Sequence, residues 1–324
     1  ERSYRVVDGS MTNCRLPKPD WELIARSIRV AEGTASTRNA YFKLLNVPVF
    51  FLPYLRHPID ENGRQSGFLI PVISNGSSIR GFTVGEQFYW AINRSMDILV
   101  GSEYYSRRGW APNGDFRYRG PGLDHFTVRW NALLDRGFDQ LQTTGPQAGQ
   151  VVRINQGGAD IAAELRKDFS PYTRIAGTAE YLSNFSYRLV FNDNYWQAIN
   201  SQVKSELAWT RARNGFVPSV EAARLQTFAS SVSGNEVRIL HLPYLRYDVL
   251  DRPLGSPTSP VDWGMGSSLS HLGRAEPGFH ARNDVRVDLY PHLSLPIVAG
   301  GWSIVPQLAL RATLYSNQQI PDLT

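Results

Sequence analysis

From about residue 59 onward, apolar and polar positions alternate with a period of two. In His125-Phe-Thr-Val-Arg-Trp-Asn-Ala132 the even positions are apolar and the odd ones polar. Ser201-Gln-Val-Lys-Ser-Glu-Leu-Ala-Trp209 sets Val203, Leu207 and Trp209 against Gln202, Lys204 and Glu206. Trp302 to Leu314 sets Ile304, Leu308, Leu310 and Leu314 against Gln307, Arg311 and Thr313, and Asp160-Ile-Ala-Ala-Glu-Leu-Arg166 behaves likewise. Such alternation predicts β-strands with one face against an apolar medium and the other against water. A soluble sandwich alternates in the same way, so the period alone does not choose between protein core and lipid. The charges carried strand after strand on the polar face, without a second layer in evidence, point to a transmembrane barrel around a wet lumen.

Before residue 59 the predicted strands are Tyr4 to Val7, Trp21 to Val30 and Ala40 to Leu55. Within Trp21 to Val30, positions 21, 24 and 28 fit a helix, and 24, 28 and 30 fit one face of a strand. Strand is favoured, because β-branched residues gather at its end and Pro17 and Pro19 precede it. Between 46 and 71 prolines recur every few positions, in Asn46-Val-Pro-Val-Phe-Phe-Leu-Pro-Tyr-Leu-Arg-His-Pro58 and Ser66-Gly-Phe-Leu-Ile-Pro71. Proline cannot donate to a ladder, so the pairing of these strands is expected to be incomplete. Gly120-Pro-Gly122, Gly145-Pro146, Gly157-Gly158 and Gly300-Gly301 read as breaks between strands. The segment 251–278 reads as the longest loop, and 139–156 as another.

Composition adds limits. The 324 residues are 42% hydrophobic and 19% charged, and no apolar run approaches the roughly 20 residues of a membrane-spanning helix. A barrel hides its hydrophobicity by alternating it, so the same composition fits one. Fifteen Tyr, fifteen Phe and eight Trp would furnish an interfacial girdle. Tyr89, Trp90, Tyr104, Tyr105 and Trp110 are the candidates for it in the first strands, with Tyr195, Trp196 and Trp302 further on. The net charge of +5 is dispersed and not clustered, which argues against nucleic acid as a partner. The six histidines lack metal-ligand spacing, Gly264 to Ser268 lacks the lysine and helix of a phosphate loop, and no Ser stands in Gly-x-Ser-x-Gly spacing. No enzyme chemistry and no cofactor is expected. The first residue is Glu1 and strand-like sequence begins at once, so the chain reads as an internal piece of a longer protein.

Several blocks, in order, resemble the LptD family, the lipopolysaccharide-assembly (organic-solvent-tolerance) proteins of the Gram-negative outer membrane. Val47-Pro-Val-Phe-Phe-Leu-Pro-Tyr-Leu55 resembles that family's junction between a periplasmic jellyroll and a barrel, and Arg64-Gln-Ser-Gly-Phe-Leu-Ile-Pro71 its first barrel strand. Phe88-Tyr-Trp-Ala-Ile-Asn93, Tyr104-Tyr-Ser-Arg-Arg-Gly109 and Phe116-Arg-Tyr118 resemble the next strands and turns. Thr12-Asn-Cys14 with Trp21 looks like the jellyroll's end. Weaker similarity continues through Tyr181 to Asn184 and Asp288 to Pro296.

The resemblance implies an all-β chain: residues 1–58 as the last strands of a jellyroll in the periplasm, and 59–324 as the N-terminal portion of a large antiparallel transmembrane β-barrel in the outer membrane. It implies lipopolysaccharide insertion through jellyroll, lumen and a lateral seam, with an LptE-like lipoprotein plugging the barrel and an LptA-like jellyroll bridge delivering the cargo. Ser66, Gly67, Phe68, Leu69, Ile70 and Pro71 would form the lateral gate. Cys14, the chain's one cysteine, would pair with a cysteine beyond this piece. Where the family carries a second proline, this chain has Gln87. The alternatives weighed are a general or substrate-specific porin, which would need no jellyroll, and an outer-membrane lipase, which would need a Ser/His/Asp arrangement that the sequence does not offer.

Overall fold

The structure, a computed structural model, describes residues 3–12, 14–31, 34–44, 46–58, 64, 66–69, 71–143, 145, 148–232, 234–278 and 283–316. The chain divides into two compact units, residues 1–118 with 134–138, and residues 119–133 with 139–324. Most of the described backbone is strand, paired antiparallel, and none of its helices is long and apolar enough to cross a membrane.

In the first unit, β1 (Tyr4–Met11), β2 (Trp21–Ala31), β3 (Thr34–Leu44) and β4 (Val47–Pro58) form a four-stranded meander. Its core is Leu23, Ala25, Ala40 and Phe42, with Trp21 stacked on Phe42 at 5.6 Å between ring centroids. Leu55 and, from further along the chain, Ile73 pack against it. The buried face of β2 is therefore 21, 23, 25 and then 28, not the 24, 28 and 30 expected. The alternation changes phase at Arg26, where both neighbouring strands place a left-handed residue opposite it, Asp8 (φ 50°) on β1 and Asn39 (φ 54°) on β3. The single strand expected over Ala40 to Leu55 is two, divided at Asn46, which takes φ 66°. Asn tolerates this conformation better than most residues with a side chain.

The unit continues with β5 (Gly67–Phe68), β6 (Val72–Ser77), β7 (Gly81–Ala91), β8 (Met96–Tyr105) and β9 (Gly109–Arg119). Both β5 and β6 pair with β7, which pairs with β8, and β8 with β9.

The second unit holds β10 (His125–Asp135), a hairpin of β11 (Phe138–Leu141) and β12 (Val151–Ile154), β13 (Gly158–Ser170) and β14 (Thr173–Leu182). Two short helices follow, α1 (Phe185–Phe191) and α2 (Tyr195–Ala198). Then come β15 (Gln202–Arg211), β16 (Phe216–Phe228), β17 (Glu236–Pro253), β18 (Asp262–Ala275) and β19 (Asp284–Ser294). From β10 to β19 each long strand pairs antiparallel with the next. Asn214 and Gly215, both at positive φ (53° and 77°), make the two-residue turn between β15 and β16 that suits the twist of a hairpin.

Two expectations change here. The Gly/Ser/Pro-rich segment 251–278 is mostly strand, and only 254–261 connects β17 to β18. Gly264 has a structural reason to be glycine: a Cβ there would strike both Asp251 and His292, which reach across it from the flanking strands and meet at 2.6 Å. The strand expected from Trp302 begins only after Pro306. β20 (Ile297–Ala299) and β21 (Trp302–Ile304) form a hairpin around Gly300-Gly301, while β22 (Gln307–Ala309) and β23 (Ala312–Tyr315) pair with β19 in one register. Helices α1 and α2 were not foreseen. Asn184 caps the first through Tyr187 N–H, and Asn194 caps the second through Trp196 and Gln197 N–H.

Phe42→Ala is expected to destabilise the four-stranded sheet by about 3 kcal/mol, the usual cost of emptying a buried aromatic site. A lowered urea midpoint for this sheet in the full-length protein would show it.

Candidate functional site

The site predicted from sequence lies on an edge strand. Gly67 and Phe68 pair with Tyr89 and Phe88, and the rings of Phe68 and Phe88 meet edge-on at 5.0 Å. Leu69 N–H donates to the Gln87 carbonyl at 2.8 Å, and the Ser66 hydroxyl accepts from Ala91 N–H at 3.0 Å. Donors on one side of a strand recur at every second residue, so the next would come from residue 71, where proline has none. Pairing resumes at Val72 opposite Gly85. Four steps along this strand, 68 to 72, thus answer to three along β7, 88 to 85, the count of a one-residue bulge. Ile70, the sixth gate candidate, lies outside the described residues. Among the described strands, β5 and β6 have β7 as their only hydrogen-bonded partner, so their other side has no ladder partner.

Gln87, at the family's second proline position, is well tied. Its amide donates to Asn113 at 2.7 Å across Gly101 of the intervening strand, where a Cβ would strike Gln87. An anchor that sequence reasoning missed holds the base of the broken strand. Asp97 is buried and accepts from Arg117 at 2.8 Å and from Arg64, which also donates to the Tyr89 hydroxyl at 3.2 Å and the Arg94 carbonyl at 2.8 Å. No local pattern in the sequence joins Arg64 to Asp97; register brings them together.

Beyond the edge, the second unit has two opposite faces. One carries Phe126, Ile161, Leu207, Val220, Leu245, Leu269, Leu289 and Leu293, all more than a third exposed. An apolar surface of this extent without a covering layer marks contact with an apolar partner or medium. Three polar side chains on that face are tied to the backbone. Ser205 Oγ donates to the Glu180 carbonyl and accepts its N–H, Ser267 Oγ donates to the Tyr247 carbonyl, and His271 Nδ1 bonds the Leu242 carbonyl. Arg224 and Gln226 stand in the phase of this face only near the end of β16, where they join Glu236 in a hydrogen-bonded chain.

The other face is charged. Residues i and i+2 of one strand share a face, and Lys204–Glu206, Arg246–Asp248 and Arg286–Asp288 pair in this way. Arg174 joins Arg166 on Asp168, and Arg311 joins Arg286 on Asp288. Over this face folds α1, held by Arg188, whose guanidinium grips both oxygens of Asp160 at 2.9 Å.

Of the girdle candidates, Trp90, Tyr104 and Trp110 stand on one face of the first unit's sheet, and Trp90 and Trp110 are more than half exposed. Tyr104 and Trp110 touch at 5.1 Å. Tyr89 and Tyr105 stand on the opposite face, the first bonded to Arg64 and the second buried beneath Arg80. Cys14 is half-buried beside β2. Its N–H donates to the Thr12 hydroxyl, and a hydrogen bond from the Trp21 backbone holds its thiol below the ordinary value of 9.0.

Comparison with known proteins places the chain in a family. The family model described as LptD protein matches residues 35–235. The LPS-assembly protein LptD of Photobacterium profundum is 28% identical over 97% of this chain and 37% of its own length. Those of Vibrio vulnificus and Haemophilus influenzae are 40% and 42% identical over 37% and 36% of this chain, each over 15% of its own length. The chain spans little more than a third of the relatives that match it throughout.

Asp97→Ala removes the carboxylate shared by two half-exposed guanidinium groups and is expected to cost about 1 kcal/mol. It should lower the temperature at which the full-length protein loses its compact form on gels. Asp124, in the connection before β10, is held below its ordinary 3.8 by the Asp168 N–H and then by Lys167. Its contribution is therefore present above about pH 4 and fades as the pH falls through the lowered value. The stability gap between wild type and Asp124→Asn should be full at about pH 6 and shrink towards about pH 3 in thermal melts.

Proposed function

Since the chain belongs to the LptD family, we propose that it is the portion of an outer-membrane lipopolysaccharide-assembly protein in which the cargo passes from periplasm to membrane. Residues 1–58 are the last strands of the periplasmic jellyroll, and 59–324 begin the barrel. Acyl chains leave sideways between the first and last barrel strands while the sugars travel along the charged face, which lines the lumen. An LptE-like lipoprotein plugs that lumen, and an LptA-like jellyroll protein hands over the lipopolysaccharide.

One observation in each unit carries the reading: an edge strand broken at Pro71 in the first, and a sheet with one apolar exposed face and one charged face in the second. Exposing a strand edge to hydrocarbon costs several kcal/mol for each unsatisfied backbone group. A seam that must open is easier to open the fewer bonds it holds, and the first strand holds few near its middle. The anchor of Arg64 on Asp97 keeps the base in place, so opening is confined to the segment above it. Tying polar side chains on the apolar face to the backbone fits immersion in lipid, where water cannot satisfy them. Trp90, Tyr104 and Trp110 belong at the lipid boundary on this reading. The Arg224–Gln226–Glu236 chain lies where the hydrocarbon ends. Cys14, with its lowered thiol pKa, is poised for a disulfide to a cysteine elsewhere in the full-length protein.

Pro71→Ala in the full-length protein restores a donor worth roughly 0.5–1.5 kcal/mol to the closed seam. Delivery of newly made lipopolysaccharide to the cell surface, followed by pulse labelling, should slow roughly two- to tenfold. Sensitivity to large hydrophobic antibiotics should rise with it. Unchanged delivery would remove the gate from this strand.

A further inference from the structure

The segment 183–201 between β14 and β15 roofs a cleft of about 230 Å³ on the charged face of the sheet. Its floor comes from Arg129 and Asn131 on β10, Asp160 on β13 and Glu180 on β14; its roof includes Asn192, Gln197 and Asn200. The roof is rigidly hung. Arg188 spends all three of its nitrogens, two on Asp160 and the third on the Asn200 carbonyl at 3.2 Å, and the Asn184 amide donates to the Gly157 carbonyl at 2.6 Å. The Asn192 amide reaches the Gln197 carbonyl oxygen at only 3.4 Å, a long bond that a ligand hydroxyl can replace.

The chemistry of the lining narrows the occupant. Two guanidinium groups face two carboxylates, so the cleft carries no net charge to draw a phosphate. The best-placed cation, Arg188, is already saturated by Asp160. One lining side chain is apolar, Ala162, which excludes an acyl chain. What remains are planar amides, each with donors and an acceptor side by side, the groups that match vicinal hydroxyls. The volume lies below the roughly 300–1,000 Å³ of sites for drug-sized ligands, so it suits one ring and not a chain of them. Tyr195 and Trp196, beside Gln197 on α2, are about two-thirds and three-quarters exposed, with rings edge to face at 5.6 Å.

We propose that this cleft is a subsite for one neutral sugar ring in the saccharide part of the transported lipopolysaccharide, with Asn131 and Gln197 as its reading residues. This rests on the reading that saccharide travels along the charged face. In living cells, a photocrosslinking benzoylphenylalanine replacing Asn131, Gln197 or Phe68 of the full-length protein separates the two claims. Labelling of complete lipopolysaccharide at 131 and 197 is expected, falling about tenfold in cells whose lipopolysaccharide is cut back to its innermost sugars, the loss of one or two hydrogen bonds. Equal labelling of complete and truncated forms would overturn the subsite. Labelling at 68 with none at 131 and 197 would overturn it too and leave the seam standing. No labelling at any of the three in a folded protein would take down the transport reading as well.

A second measurement uses the purified full-length complex and delipidated core oligosaccharide. Asn131→Leu with Gln197→Leu should raise the Kd about tenfold. Arg188 and Asp160 are untouched, so heat-modifiability on gels should be unchanged. An unaltered Kd would refute the assignment.

Discussion

A β-sheet with no second layer against its apolar face must satisfy every polar group it places there from within itself. The rest of this structure follows from that constraint. Leu207, Leu245, Leu269 and Leu289 stand exposed on one face, and nothing among the described residues covers them. In a soluble sandwich such residues would be buried and a serine between them could find a partner in the other sheet. Here Ser205 and Ser267 turn back onto carbonyls of the neighbouring strand, and His271 does the same. The antiparallel register supplies the carbonyls, and in a water-free medium such bonds would be the ones open to these side chains.

The opposite face obeys a different rule. Its ion pairs are mostly solvent-exposed, and pairs of this kind contribute between nothing and about 1 kcal/mol each. Lys204–Glu206 or Arg246–Asp248 therefore do little to hold the sheet together; they make its face compatible with water. The buried pairs are of another kind. Arg188–Asp160 and Arg108–Asp135, with Arg108 side chain 4% exposed and Asp135 fully covered, sit at strand ends and connections, where they fix one arrangement of the segments they join. Removing one partner there leaves a charge stranded.

The first strand combines both kinds of control. Its base is pinned by a buried carboxylate shared between two arginines, and its middle lacks a donor and carries a bulge. Gln87 adds a side-chain bond on β7 through Asn113. The weakness is thus confined to the stretch around Pro71 and does not spread into β7. The strand is firm at one end and short of a backbone bond in its middle.

Much of this was legible in the sequence. The period of two identified the strands and separated the apolar positions from the charged ones, because alternation is a property of strand geometry and needs no knowledge of partners. Pro71 declared a missing donor for the same reason, and the blocks from Val47 to Tyr118 pointed to the family. The sequence could not show that Arg64 meets Asp97, that Gln87 reaches Asn113 over Gly101, or that Asp251 and His292 close over Gly264 within a stretch that reads as a loop. It hid the change of phase at Arg26 and the two helices that roof the cleft on β10 to β14. Each of these depends on register, on which residues of different strands lie side by side, and register is set by the turns and bulges of the whole sheet. The chain alone determined what kind of surface each strand presents. Only the assembled sheet decided which side chains face one another across it.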